Sequence, residues 1–200
     1  MGIIKVDELT GITGDGGPSS PITFSGDTIS KFKAPAGMIL NVQQAVKRGT
    51  QVISSQTYVL VSGLTITTAI PKSSSSKFLI EYTIAGSIYN DTNHGYLQIW
   101  KNGYVLTGAL ADSSGDNTVG SRSIASTVLN QSGAADGSAF SYAMKFLDSP
   151  NSSTAVTYAI YGRTSNSSGN LYINRSGRDN DAVTYDGRGI STLTVMEIAG

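Results

Sequence analysis

From residue 40 onward the apolar residues recur at every second position in short runs, and no stretch carries the three-to-four-residue stripe of a helix. The run Lys77–Tyr89 is the clearest: Phe78, Ile80, Tyr82 and Ile84 share one face, and Leu79, Glu81, Thr83 and Ala85 the other. A period of two fits only a strand covered on one side. Further strands are predicted at 40–47, 57–70 (bent at Ser62-Gly63), 96–106, 124–129, 140–147, 154–161, 171–174 and 191–198. Asn102-Gly103 folds the 96–106 run into a hairpin, because both central residues of a type I′ turn need positive φ. Gly-, Asn-, Ser- and Asp-rich segments at 107–121, 131–137, 148–153, 164–170 and 176–189 separate the other runs. About eight to ten short, evenly spaced strands predict an all-β domain over 38–200, built as a jelly-roll β-sandwich. The lack of a tandem repeat argues against a propeller or β-helix.

Residues 1–37 read differently. Ile3, Ile4, Val6, Leu9, Ile12, Ile22, Phe24 and Ile29 are spaced apolar anchors among Gly, Pro and Thr, too sparse to make a core. The segment is expected to be an extended attachment arm that orders against other chains. In that arm Ile3, Val6, Ile22 and Phe24 fill pockets beside a neighbour's sheet edge. Fully extended, it reaches roughly 120 Å, far more than a linker within one small domain needs.

Charged residues make up only 14% of the chain and balance to a formal net charge of zero. That composition gives no electrostatic footprint for nucleic acid. No apolar run approaches the ~20 residues of a spanning helix, so no membrane insertion is expected. The Met1–Asp7 opening lacks the basic and apolar regions of a signal peptide, and Val6 stands where a myristoylation motif needs Ser or Thr. With no cysteine, disulfides and thiolate metal sites are excluded. A chain so weakly charged is suited to life inside a complex.

Catalytic chemistry finds little to use, and neither a catalytic residue nor a cofactor is expected. His94 is the single histidine, in a turn-like Asn-Asp-Thr-Asn-His-Gly context that predicts a solvated loop residue, and no Gly-x-Ser-x-Gly elbow accompanies it. Glu8, Glu81 and Glu197 are the only glutamates and lie far apart in sequence, which disfavours a paired-carboxylate glycosidase. Asp179, Asp181 and Asp186 share one Gly-containing loop; turn formation is the plain reading and calcium binding the sharper one. The glycines from Gly11 to Gly17 lack the Lys-Ser/Thr ending of a phosphate loop and run into Pro18, which marks a joint in the arm.

Tyrosine is plentiful, and most of it alternates with aliphatic residues as core or half-core. Tyr89, Tyr104, Tyr185 and Trp100 lie near loops and are the candidates for outward ligand contact. The last strand is apolar on both faces, with Leu193 and Val195 on one and Met196 and Ile198 on the other. Either loops cover its outer face, or Met196 and Ile198 meet a neighbouring subunit.

Several of these residues carry a resemblance. Ile4-Lys5-Val6-Asp7, then Gly14-Asp15-Gly16-Gly17-Pro18 and Pro21-Ile22-Thr23-Phe24-Ser25-Gly26-Asp27, resemble the starts of tailed-bacteriophage fibre, fibre-like and decoration proteins. The body, closing on Thr192-Leu193-Thr194-Val195-Met196-Glu197-Ile198, is similar to the small jelly-roll knobs of phage virion proteins, which share the build of trimeric tumour-necrosis-factor-like domains. The resemblance implies a homotrimer in the virion, attached by its arm to capsid or tail subunits, with an outward head. It brings no catalytic residues. The chain lacks a coiled-coil or β-helical shaft, which favours a short spike or a capsid-surface decoration protein. A receptor-binding knob that recognises host-surface carbohydrate is the alternative.

Overall fold

A computed structural model describes residues 34–89, 94–112, 124–130, 138–184 and 186–200. The arm anchors Ile3, Val6, Ile22 and Phe24, together with Tyr185 and the Tyr89 side chain, lie outside the described residues. The strands in chain order are β1 (Ile39–Lys47), β2 (Gln51–Ile53), β3 (Val59–Thr67), β4 (Lys77–Tyr89), β5 (His94–Lys101), β6 (Tyr104–Val105), β7 (Thr127–Asn130), β8 (Phe140–Asp148), β9 (Thr157–Thr164), β10 (Asn170–Ile173) and β11 (Ser191–Ile198). Among the described residues the one helical element is a short 3-10 turn at Thr107–Ala109.

The strands form two antiparallel sheets. In the first, β1, β11, β4 and β8 lie side by side, and β10 and β2 extend the far end of β4. In the second the order is β3, β9, β5, with β6 and β7 sharing the outer edge of β5. The first strand thus pairs with the last and the third with the ninth, the nested order of a jelly roll. Phe78, Ile80, Tyr82 and Ile84 all point into the sandwich, as their spacing predicts. They meet Leu97, Ile99, Tyr158 and Ile160 from the second sheet, with Leu193 and Val195 beside them.

Local chemistry explains most boundaries. Asn102 (φ 51°) and Gly103 (φ 83°) make the expected hairpin turn. The expected bend at Ser62-Gly63 is a register irregularity inside β3, between Leu60 and Thr65, with Gly63 at φ 84°. Strand β9 starts three residues later than the alternation suggests. Ser152 captures the chain first, its hydroxyl donating to Thr154 O at 2.9 Å and closing a turn. His94, expected in a loop, opens β5 and stacks on Tyr96 with ring centroids 6.4 Å apart. Its amide donates to Ser165 Oγ and its carbonyl accepts from Ser165 N, which ties it to the end of β9.

Strands β10 and β11 occupy one slot beside β4. Ile173 pairs with Gly86 and Thr192 with Thr83, so residues 175–190 loop out of what is otherwise a single strand position. At the opposite end of the sandwich, Asp148 on β8 reaches the second sheet. Its carboxylate accepts from Lys101 Nζ at 3.0 Å and from Tyr158 Oη at 2.7 Å. Burial, and then the bond to this anion, push the Tyr158 hydroxyl well above its ordinary pKa.

Candidate functional site

Alternation along the first sheet puts every residue not in the core on one outward face. Register then assembles that face row by row. Val42 on β1 stands beside Met196 on β11, Met196 beside Leu79 on β4, and Leu79 beside Leu147 on β8. This is an unbroken apolar row across four strands, about 15 Å wide at ~4.8 Å per strand. Its two ends are bare: Val42 is 55% exposed and Leu147 47%. Ile39 pairs with Ile198 one step along, and Ile39 is exposed too. The next row inward is Gln44, Thr194, Glu81 and Lys145. Lys145 Nζ meets Glu81 Oε1 at 3.1 Å, so the two charges of that row neutralise each other. Met196 and Ile198, singled out from the sequence, therefore lie on this face and are half-buried.

On the far half of the face the 175–190 loop lies over Ala85, while Val46, Ser141 and Ala143 to either side stay exposed. Gly189 sits so close over Ala85 that a Cβ at that position would lie 2.6 Å from the Ala85 methyl. The Arg175 guanidinium lies 4.8 Å from the centre of the Tyr172 ring. The loop is held in shape by forked ion pairs. Arg188 grips Asp179 at 2.8 and 2.9 Å, and Arg178 grips Asp186 at 2.8 and 2.7 Å. Asp186 also accepts from Asn180 N at 2.7 Å. The Arg178 fork holds the Asp186 carboxyl down at about 2. The Arg188 fork likewise holds Asp179 below the usual carboxylate range. Asp179 and Asp186 are thus engaged as guanidinium partners, while Asp181 is exposed and 3.7 Å from Arg188. The described residues contain no group of three His, Asp or Glu side chains placed to hold a metal ion.

The proposed outward aromatics do not converge. Trp100 faces out from the second sheet and stacks on Tyr161, with ring centroids 4.1 Å apart and planes 16° from parallel. Tyr104, 79% exposed, pairs with Lys101 and so takes the opposite side of the hairpin from Trp100. Tyr58, Tyr96 and Tyr161 are half-buried on the outward face of the second sheet, where Arg163 lies 5.3 Å from the Tyr58 ring and 4.6 Å from that of Tyr96.

Three members of the apolar row, Val42, Leu79 and Leu147, were not singled out in the sequence. Each sits opposite the core face in its own strand, a signal available from alternation. Only the strand order shows that the three line up with Met196. No protein-family model matches the chain, and no curated protein is significantly similar to it.

Proposed function

We propose that this chain is a non-enzymatic structural subunit of a tailed-phage virion, a homotrimeric capsid-surface decoration or short spike protein. The outer face of the first sheet joins the copies, and the arm, residues 1–37, attaches them to other virion subunits. The observation that carries the reading is the apolar row Val42–Met196–Leu79–Leu147. A soluble monomer gains nothing from displaying such a row, and a second copy can cover it. The loop at 175–190 covers the middle of the neighbouring half of the same face at Ala85, whereas among the described residues no contact of that loop reaches the apolar row. With Glu81 and Lys145 satisfied by each other, copies meet there without like-charge repulsion. Closed symmetry hides the face on every copy. The resemblance of the chain's opening and closing segments to phage virion proteins supports the virion setting. Removing residues 1–37 tests the attachment: the remaining body should fold, and should fail to join particles that the full chain decorates. Normal decoration by the shortened chain would refute the role of the arm.

A second reading has one observation in its favour, the half-exposed Trp100–Tyr161 stack, which offers ring surface of the kind that packs on sugar. In that reading the head is a receptor-binding knob for host-surface carbohydrate. Trp100 is the only tryptophan, so its fluorescence reports directly. A saturable change on titration with soluble oligosaccharides would favour the knob, and a flat response would remove it.

A further inference from the structure

We infer that the free edge of β8 receives an added strand, and that this strand is residues 21–25 (Pro21-Ile22-Thr23-Phe24-Ser25) of a neighbouring copy. The inference rests on the oligomer proposed above and specifies where one copy's arm engages the next.

Edges decide the argument. A bare edge strand displays unpaired N–H and C=O groups, and monomeric proteins blunt it with prolines, bulges, unspent charges or shortness. The β1 edge is tied to β3 by Lys47 Nζ donating to Ser62 Oγ at 2.9 Å and Gln43 Nε2 donating to Thr67 O at 3.5 Å. The edge elements β2, β6 and β7 have only three, two and four residues. Strand β8 has nine and, among the described residues, pairs with β4 alone. Its register with β4 is unbroken, it contains no proline, and its one lysine is already held by Glu81.

The side chains of β8 show what kind of strand fits. Tyr142, Met144 and Phe146 point toward the core and pack against it, yet remain only partly buried. Ser141, Ala143 and Lys145, on the other side, are exposed, and beyond them Leu147 ends the apolar row. An added strand beside residues 141–146 must therefore be apolar on its inner side and polar on its outer side. Residues 21–25 alternate in that way, with Ile22 and Phe24 on one side and Thr23 and Ser25 on the other. Ile, Thr and Phe favour strands, and Pro21 falls at the first position, where a strand tolerates it. The length also suits. The described body begins at Ala34, and Gly37 N donates to Ala199 O at 2.8 Å. Residues 26–33 can then span up to ~26 Å, several strand widths.

The chain has no cysteine, so an engineered pair is unambiguous. Thr23→Cys is combined in the full chain with Ser141→Cys, Ala143→Cys or Lys145→Cys in turn. Cross-strand neighbours on one face lie within disulfide reach. After oxidation, at least one combination should run on a non-reducing gel as covalently joined chains, and each single variant should not. A link formed only within one chain overturns the proposal, since the strand then comes from the same copy. No link in any combination also overturns it. Light scattering on the reduced proteins separates the causes. Oligomeric mass without a link removes the β8 edge alone, whereas monomeric mass removes the oligomer and this inference with it.

Discussion

The Ser191 hydroxyl donates to the buried side-chain oxygen of Asn174 at 2.6 Å, closing the gap where residues 175–190 leave the sheet. The same Asn174 donates its amide to Lys47 O at 2.8 Å and Gly49 O at 3.0 Å, and Ser191 Oγ accepts from Ala85 N. One amide therefore joins the β1–β2 junction to the β10–β11 junction, and through Ser191 to β4. Asn174 sits at φ 63°, a left-handed conformation that asparagine tolerates better than most residues.

Asn174→Ala should cost about 3 kcal/mol, because the buried Lys47 carbonyl and the partly buried bond to Gly49 O lose their donor and alanine is strained at that φ. Asn174→Gly should recover about 1 kcal/mol of this, since glycine relieves the strain but not the lost bonds. Urea midpoints of the two variants check the order. Equal midpoints would mean that the backbone conformation contributes nothing.

Asp148 holds two donors at once, one of them on the fully buried Tyr158. Asp148→Ala should destabilise by about 3 kcal/mol, since it strands a buried hydroxyl and unpairs Lys101. Tyr158→Phe removes one bond and leaves the ion pair, so it should cost about 1 kcal/mol. A larger loss for Tyr158→Phe in thermal unfolding would show that the ion pair is not what closes this end of the sandwich.

Gly86 is needed for close approach. A Cβ there would lie 2.5 Å from the carbonyl oxygen of Tyr172, on the strand paired with it. Gly86→Ala should split β10 from β4 and lower the melting temperature by several degrees, whereas Gly49→Ala, with open space around it, should be nearly silent. Comparable melting of the two variants would mean the β10 contact adjusts freely.

Much of the fold was legible because burial on one side writes itself into the sequence at every second residue. Lys77–Tyr89 and Ser191–Ile198 were found whole, and the Asn102-Gly103 turn announced its own geometry. Gln51–Ile53 was not read, since three residues cannot establish a period. The site was legible only in part. Met196 and Ile198 stood out as apolar residues opposite a core face, but their row mates Val42, Leu79 and Leu147 come from three other strands. The Arg178–Asp186 and Arg188–Asp179 forks were hidden for a related reason. Residues eight and nine apart in a loop carry no periodic signal that pairs them.

Those forks predict an acid limit for the loop. The folded Asp186 carboxyl lies at about 2, below the ~3.9 of an unfolded aspartate, mainly because of Arg178. A group lowered on folding stabilises fully above its unfolded value and stops doing so as pH falls through its folded value. Amide protection across 175–190, relative to the unfolded exchange rate at each pH, should therefore be high above about pH 4 and fall as pH drops toward about 2. Asp186→Asn should give low protection throughout. A wild-type loop that opens near pH 6 would show that some other group controls it.

The most direct measurement is the solution mass of the full chain beside its Met196→Lys variant, with circular dichroism on both. The proposal predicts wild-type protein at three times the 20.9 kDa chain mass at micromolar concentration. Met196→Lys should be a monomer that keeps its strand signal, because the lysine projects outward from an intact sheet. A wild-type monomer, or a variant that unfolds instead of dissociating, would contradict it.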